Sequence, residues 1–208
     1  MGALREFGLQ WAAAQAPLTS ADPCGDRYLV APRGSGTLVM VVDGVGHGER
    51  AATAARCAAE AALQDQSLDA EALVRSCHAA LSGNSRGVVL SLGVFEPRLG
   101  LMTWLGVGNV EGRLLLRTSG GHHLQQTLLL QPGIVGRRLP RLRPSIMRVS
   151  PGDMLIFATD GIAPDFAEAL PIGAHVEDIA GGIMARCRKG TDDALVLVVR
   201  YLGHADGG

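Results

Sequence analysis

The residues best placed to do chemistry are aspartates at the ends of apolar runs. Asp43 closes VMVVDG, Asp160 closes LIFATDG, Asp192 and Asp193 open DDALVLVV, and Asp26 precedes the apolar stretch at 28–30. A carboxylate at the end of a buried run is partly stripped of water, and its charge is costly unless a cation or hydrogen-bond donors meet it. No comparable set of Lys or Arg accompanies these acids, so their recurrence points to one shared metal guest. Oxygen ligands without a Cys or His cluster favour Mg²⁺ or Mn²⁺ over Zn²⁺. Taken singly, each aspartate also reads as a turn or cap residue. Their repetition in Asp-Gly and Asp-Asp contexts is what favours ligation.

The segment Asp43-Gly44-Val45-Gly46-His47-Gly48 must turn from strand to helix within a few residues, which glycine permits. Gly44 would also expose a carbonyl oxygen beside the Asp43 carboxylate. A dinucleotide fingerprint G-x-G-x-x-G fails here, because Glu49 stands where the third glycine belongs. His47 reads either as a ligand or proton shuttle or as a loop histidine satisfied locally, and His122 and His123 lack a metal-ligand partner. Gly83-Asn84-Ser85-Arg86-Gly87 matches G-x-S-x-G, with Asp160 and His175 as conceivable triad partners for a Ser85 hydrolase. Its expected order is helix then strand, the reverse of a nucleophile elbow.

The elements that must hold these residues follow from pattern. The run 37–42 is apolar and β-branched between glycines, hence a buried strand. Residues 48–64 are mostly alanine with one polar stripe, hence a helix. Asp69 is a candidate N-cap for a second helix running to about Leu81. A meander of hairpins is expected over 88–95, 101–107 and 113–118, followed by a loop over 119–145. That loop carries Arg137, Arg138, Arg141 and Arg143, either solvated or docking an acidic partner. A strand over 154–158, helical material to about Ala185 and a last strand over 195–201 complete the chain. Strands that cluster without intervening helices favour antiparallel sheets with packed helices.

Composition excludes other classes. The chain has 208 residues with 19 Lys and Arg against 20 Asp and Glu, a formal charge of -1. Such a balance offers no footprint for nucleic acid or an anionic membrane. No apolar run is long enough to span a bilayer. Length without a linker reads as a single domain over 1–208. Cys24, Cys57, Cys77 and Cys187 form no C-x-x-C pair and read as buried thiols of a cytoplasmic protein.

Taken in order, CGDRY (24–28), VVDGVGHG (41–48), PGDMLIFATDGI (151–162) and GTDDALVLVV (190–199) resemble the type 2C metal-dependent serine/threonine phosphatases. The likeness is to the bacterial branch typified by the stage II sporulation phosphatase, and among its members to the compact feedback phosphatases of the stressosome. The resemblance implies an α+β fold, a four-layer αββα sandwich of two central antiparallel sheets flanked by helices. It implies that Asp43 bridges two Mn²⁺ or Mg²⁺ ions, that Gly44 supplies a carbonyl, and that Asp160 and Asp192 complete the site. Asp26 would join directly or through water, and Asp193 would occupy the neighbouring position. Arg33 is the candidate for a phosphate-gripping arginine, and His47 or a coordinated water for the leaving-group acid. The implied reaction is in-line attack by activated water on phosphoserine or phosphothreonine. The implied partners are phosphorylated bacterial regulatory proteins, stressosome scaffold subunits among them. A phosphatase-fold protein that binds without catalysis is the alternative.

Overall fold

The computed structural model describes residues 8–83, 86–118 and 123–203. Strands β1 (Leu9–Ala16), β2 (Asp26–Arg33) and β3 (Gly36–Gly44) lead into helices α1 (Glu49–Gln64) and α2 (Ala70–Leu81). Then come β4 (Val88–Glu96), β5 (Leu101–Val107), β6 (Glu111–Arg117), β7 (His123–Thr127), β8 (Ser145–Arg148) and β9 (Met154–Ala158). Helix α3 (Val176–Cys187) and strand β10 (Ala194–Tyr201) close the fold. The strands form two five-stranded sheets, ordered β1-β10-β9-β6-β7 and β2-β3-β4-β5-β8, and every pair of named strands is antiparallel. Helices α1 and α2 cover the outer face of the β3 sheet, and α3 covers the outer face of the β10 sheet. The result is the expected αββα sandwich.

Central strands buried on both faces read as continuous apolar runs. In β3, Leu38, Met40 and Val42 pack toward the helices, while Val39 and Val41 pack between the sheets. In β10, Leu195, Leu197 and Val199 face the same intersheet layer. Large rings fill that layer: Trp104 lies 5.3 Å from Phe157, and Phe95 lies 6.0 Å from Tyr201, centroid to centroid. Alanines on α1 (51, 52, 54, 55, 58 and 62) let its backbone approach the sheet closely. Asp69 caps α2 by accepting from the amides of Glu71 and Ala72.

Three expectations need correction. The strands over 88–117 are not one meander, because β4 and β5 pair in one sheet whereas β6 pairs with β9 and β7 in the other. Residues 163–175 are turns, and the helix starts only at Val176. Pro164 and Pro171 cannot continue a helical hydrogen-bond ladder. Of the four free thiols, Cys77 and Cys187 are buried, but Cys24 and Cys57 are only half-buried. Among the described residues no helix is long and apolar enough to cross a membrane.

Candidate metal centre at the strand ends

The alternation of side chains along strands decides which acids meet. Asp43 continues the parity of Val39 and Val41 and so points toward the opposite sheet. Asp26 is its direct cross-strand partner. From the other sheet, Thr159 continues the inward parity of Leu155 and Phe157, and Asp193 continues that of Leu195. Asp160 and Asp192 lie in the turns just beyond β9 and just before β10. One end of the sandwich therefore gathers five aspartates from both sheets.

Their surroundings differ. Asp193 is buried, and both its oxygens are occupied: Oδ1 accepts from the Leu18 amide at 2.7 Å and Oδ2 from the Gly25 amide at 2.7 Å. The hydroxyl of Thr159 donates to Asp26 Oδ2 at 2.7 Å while accepting from the Leu195 amide at 2.9 Å. Asn109 Nδ2, on the crossing from β5 to β6, donates to Asp160 Oδ2 at 2.9 Å. Asp192 Oδ1 accepts the Asp193 amide at 2.8 Å. No described residue donates to the Asp43 carboxylate.

Proton affinities record the crowding. Burial, then the charges of Asp26, Asp160, Asp192 and Asp193, push Asp43 up to about 9. Burial pushes Asp26 up to about 7 against the Thr159 hydrogen bond, with Asp193, Asp160 and Asp192 adding to the rise. Asp160 is raised by burial and Asp192, and held back by Asn109 and Lys189. Lys189 does approach the site, contrary to expectation, but its ammonium bonds the Asp160 main-chain oxygen at 2.8 Å. Among the described residues no three His, Cys, Asp or Glu side chains stand together as a ready-made ion cradle. The acids share a field without yet sharing a point. An oxygen-only set with one half-buried carboxylate to which no described residue donates fits a hard divalent cation.

Glycines set the backbone of the site. A Cβ on Gly44 would lie 2.2 Å from the Ala51 oxygen, so only glycine lets α1 sit this close to the end of β3. A Cβ on Gly161 would lie 2.0 Å from the Asp193 oxygen, where the two acidic turns touch.

Residues 33–202 match the sequence model of the family described as Stage II sporulation protein E (SpoIIE). The chain belongs to the SpoIIE family. Its members are type 2C phosphatases, and this SpoIIE-family protein is a metal-dependent protein serine/threonine phosphatase. A chain from work on the bacterial stressosome, described as a modular system adapted to control secondary messenger signalling, superposes on it with TM-score 0.81 at 28% identity. That match spans 92% of this chain and 99% of the other. RsbX in complex with magnesium gives TM-score 0.81 at 22% identity, over 92% and 94% of the two chains. The phosphatase domain of Bacillus subtilis SpoIIE, with a fragment of its regulatory domain, gives 0.75 at 20% identity, over 94% of this chain and 62% of that one. A comparison with curated proteins gives no match.

Other candidate residues of the SpoIIE-family protein fall elsewhere. Arg33 is not at the acidic end. It closes the far end of β2, about 23 Å from Asp26 at strand rise, where it is 2% exposed and Nη2 donates to the Ala62 oxygen at 2.6 Å. It serves the last turn of α1, which carries no basic residue of its own. His47 is exposed in the turn after β3. Ser85 and His122 lie outside the described residues. The flanks of Ser85 run from α2 into β4, helix then strand, and His175 stands at the start of α3. That order does not make a nucleophile elbow. Thr159 and Asn109 are the hydrogen-bonding neighbours of the acids that pattern reading missed. Thr159 carried a signal in its adjacency to Asp160; Asn109 carried none, since it meets Asp160 across 51 residues.

Proposed function

We propose that this phosphatase hydrolyses phosphoserine and phosphothreonine on bacterial stress-signalling regulators in the cytoplasm, with phosphorylated stressosome scaffold subunits as substrates. The carrying observation is that both sheets send acids to one end and no described residue donates to Asp43 there, which supports a site that takes a divalent cation. The likeness to a stressosome chain and to RsbX supports the choice of substrate. We read 1–208 as one phosphatase domain.

The residues that would hold Mn²⁺ or Mg²⁺, two ions in our reading, are Asp43, the Gly44 carbonyl, Asp160 and Asp192, with Asp26 joining directly or through water. When bound, the ions supply a water acidic enough to lose a proton near neutral pH and positive charge for the phosphoryl oxygens. The protein's own part is preorganisation. Thr159 spends its one proton on Asp26, which favours the ionised carboxylate. Asn109 fixes the orientation of Asp160. Asp193, with both oxygens taken by amides, ties the start of β10 to the segment before β2 and so holds Asp192 in place. His47 stands exposed beside the site and is our candidate to protonate the departing serine or threonine oxygen.

The test is phosphate release from phosphorylated scaffold subunits with Mn²⁺ or with a chelator. Release that needs the metal and disappears in Asp43→Asn supports the reading. Binding of the phosphoprotein without turnover in Mn²⁺ would replace it with a non-catalytic role.

A further inference from the structure

A cleft of about 630 Å³ opens between the first half of α1, the end of α2 and the segments around residues 86 and 137. Its charged lining consists of Arg50, Arg86 and Arg137 with Glu49. The three arginines come from separate stretches of chain, and each is exposed. Among the described residues neither Arg50 nor Arg86 forms an ion pair; the two ion pairs are Arg75 with Glu71 and Arg113 with Glu111. The single acid, Glu49, is engaged by the Thr53 hydroxyl at 3.3 Å. The cleft thus presents a net positive wall in a chain whose overall charge is -1.

The cleft also borders the turn that follows Asp43. A Cβ on Gly46, which has φ 93°, would stand 2.7 Å from Arg86 Nη1, so the Arg86 side chain lies against the turn leading from Asp43 into α1. From Glu49 to Cys57 the helix extends about 12 Å. That matches three to four residues of extended peptide.

We infer that this cleft docks an acidic segment of the phosphoprotein substrate, within about four residues of the phosphorylated side chain. The inference rests on the phosphatase reading above and adds a specificity determinant to it. A phosphoresidue held at the aspartates would send its flanking chain past Arg86 and along α1, where acidic side chains would meet Arg50 and Arg137. Exposed charge pairs are individually weak, but three acting together would give about a tenfold preference in kcat/KM.

The experiment uses the full chain with Mn²⁺ and three phosphopeptides of equal length whose flanks are acidic, neutral or basic, with p-nitrophenyl phosphate alongside. The expected order is acidic over neutral over basic, with the preference shrinking at high salt. Arg50→Glu and Arg137→Glu should invert that order. Arg50→Gln, which keeps a good helix former, should flatten it without inverting it, and thermal melts identify any variant that fails to fold. Equal kcat/KM on all three peptides would overturn the docking cleft while leaving the phosphatase reading intact. An acidic preference that the variants do not move would also overturn it. Failure to cleave any phosphate ester, the nitrophenyl compound included, would instead sink the phosphatase reading itself.

Discussion

Strand β2 carries a buried charge at each end, and the two ends treat it in opposite ways. At one end, Arg33 is buried against carbonyls: it donates to the Ala62 oxygen at 2.6 Å and to the Pro32 oxygen at 3.2 Å, with Nε left without a partner. There the charge serves the fold, because it satisfies the last turn of α1. At the other end, Asp26 faces Asp43 across the sheet, and Asp160, Asp192 and Asp193 crowd the same region. There the charges oppose the fold, and Asp43 shows it by holding its proton up to about 9. The contrast separates a charge that the fold satisfies from a cluster of like charges whose mutual repulsion the fold leaves unanswered.

Breaking the two ends should therefore give opposite phenotypes. Asp43→Asn should lower metal-stimulated phosphate release by about a thousandfold, equivalent to about 4 kcal/mol in the barrier, yet leave the metal-free protein as stable as the parent or more so. Assays of initial rate and chelated thermal melts read the two effects separately. A variant with full activity would dissolve the functional half of the comparison. Arg33→Ala should do the reverse. It removes a charged donor and leaves a buried carbonyl unpaired, at a cost of about 2 to 3 kcal/mol by denaturant titration, with kcat per folded molecule unchanged. A loss of kcat in fully folded Arg33→Ala would return Arg33 to the reaction.

The same contrast explains what could be read before any coordinates. The strand-end aspartates were legible because β3, β9 and β10 are buried on both faces, so their apolar runs stop abruptly where the acids begin. Their inward direction came only with the structure, from the parity of Val39 and Val41 for Asp43 and of Leu195 for Asp193. The edges were harder. Strands β7 (HLQQT) and β8 (SIMR) are mostly exposed and show no clean alternation, and β1 (LQWAAAQA) is too rich in alanine to announce a strand. Arg33, offered through the resemblance as the phosphate-gripping arginine, lies outside every matching motif, so no sequence signal set its place at the far end of β2. The partners of the acids depend on contacts between the sheets, such as Thr159 with Asp26 across 133 residues, and local sequence pattern cannot encode those.

Metal should move stability in a pH-dependent way. Without metal, Asp43 is raised from its ordinary 3.8 to about 9 and Asp26 to about 7, so at intermediate pH the folded state binds more protons than the unfolded chain. That stabilising contribution is complete below about pH 4 and is lost as pH rises toward 9 for Asp43 and 7 for Asp26. In EDTA the melting temperature should fall between pH 6 and pH 8. Mn²⁺ at a hundred times its dissociation constant adds about 2.7 kcal/mol, and its gain in melting temperature should be larger at pH 8, where fewer protons compete for the carboxylates. A chelated melting temperature that climbs over this range would mean that the acids do not repel one another as the structure requires.

The smallest expected effect is the most discriminating for the acidic end. Asn109 touches Asp160 and not Asp43, and its amide both orients that carboxylate and favours its ionised form. Asn109→Ala should therefore raise the Mn²⁺ concentration for half-maximal activity by about tenfold, the usual cost of losing a group that orients a metal ligand. At saturating Mn²⁺ the lost orientation is restored by the ion, and kcat should return to near the parent value. Asn109→Asp should weaken metal-free stability further by adding a like charge beside Asp160, yet recover part of the metal affinity. If kcat stays low at saturating Mn²⁺ while the metal midpoint does not move, Asn109 acts on the substrate instead. The acidic end would then extend onto the β5–β6 crossing.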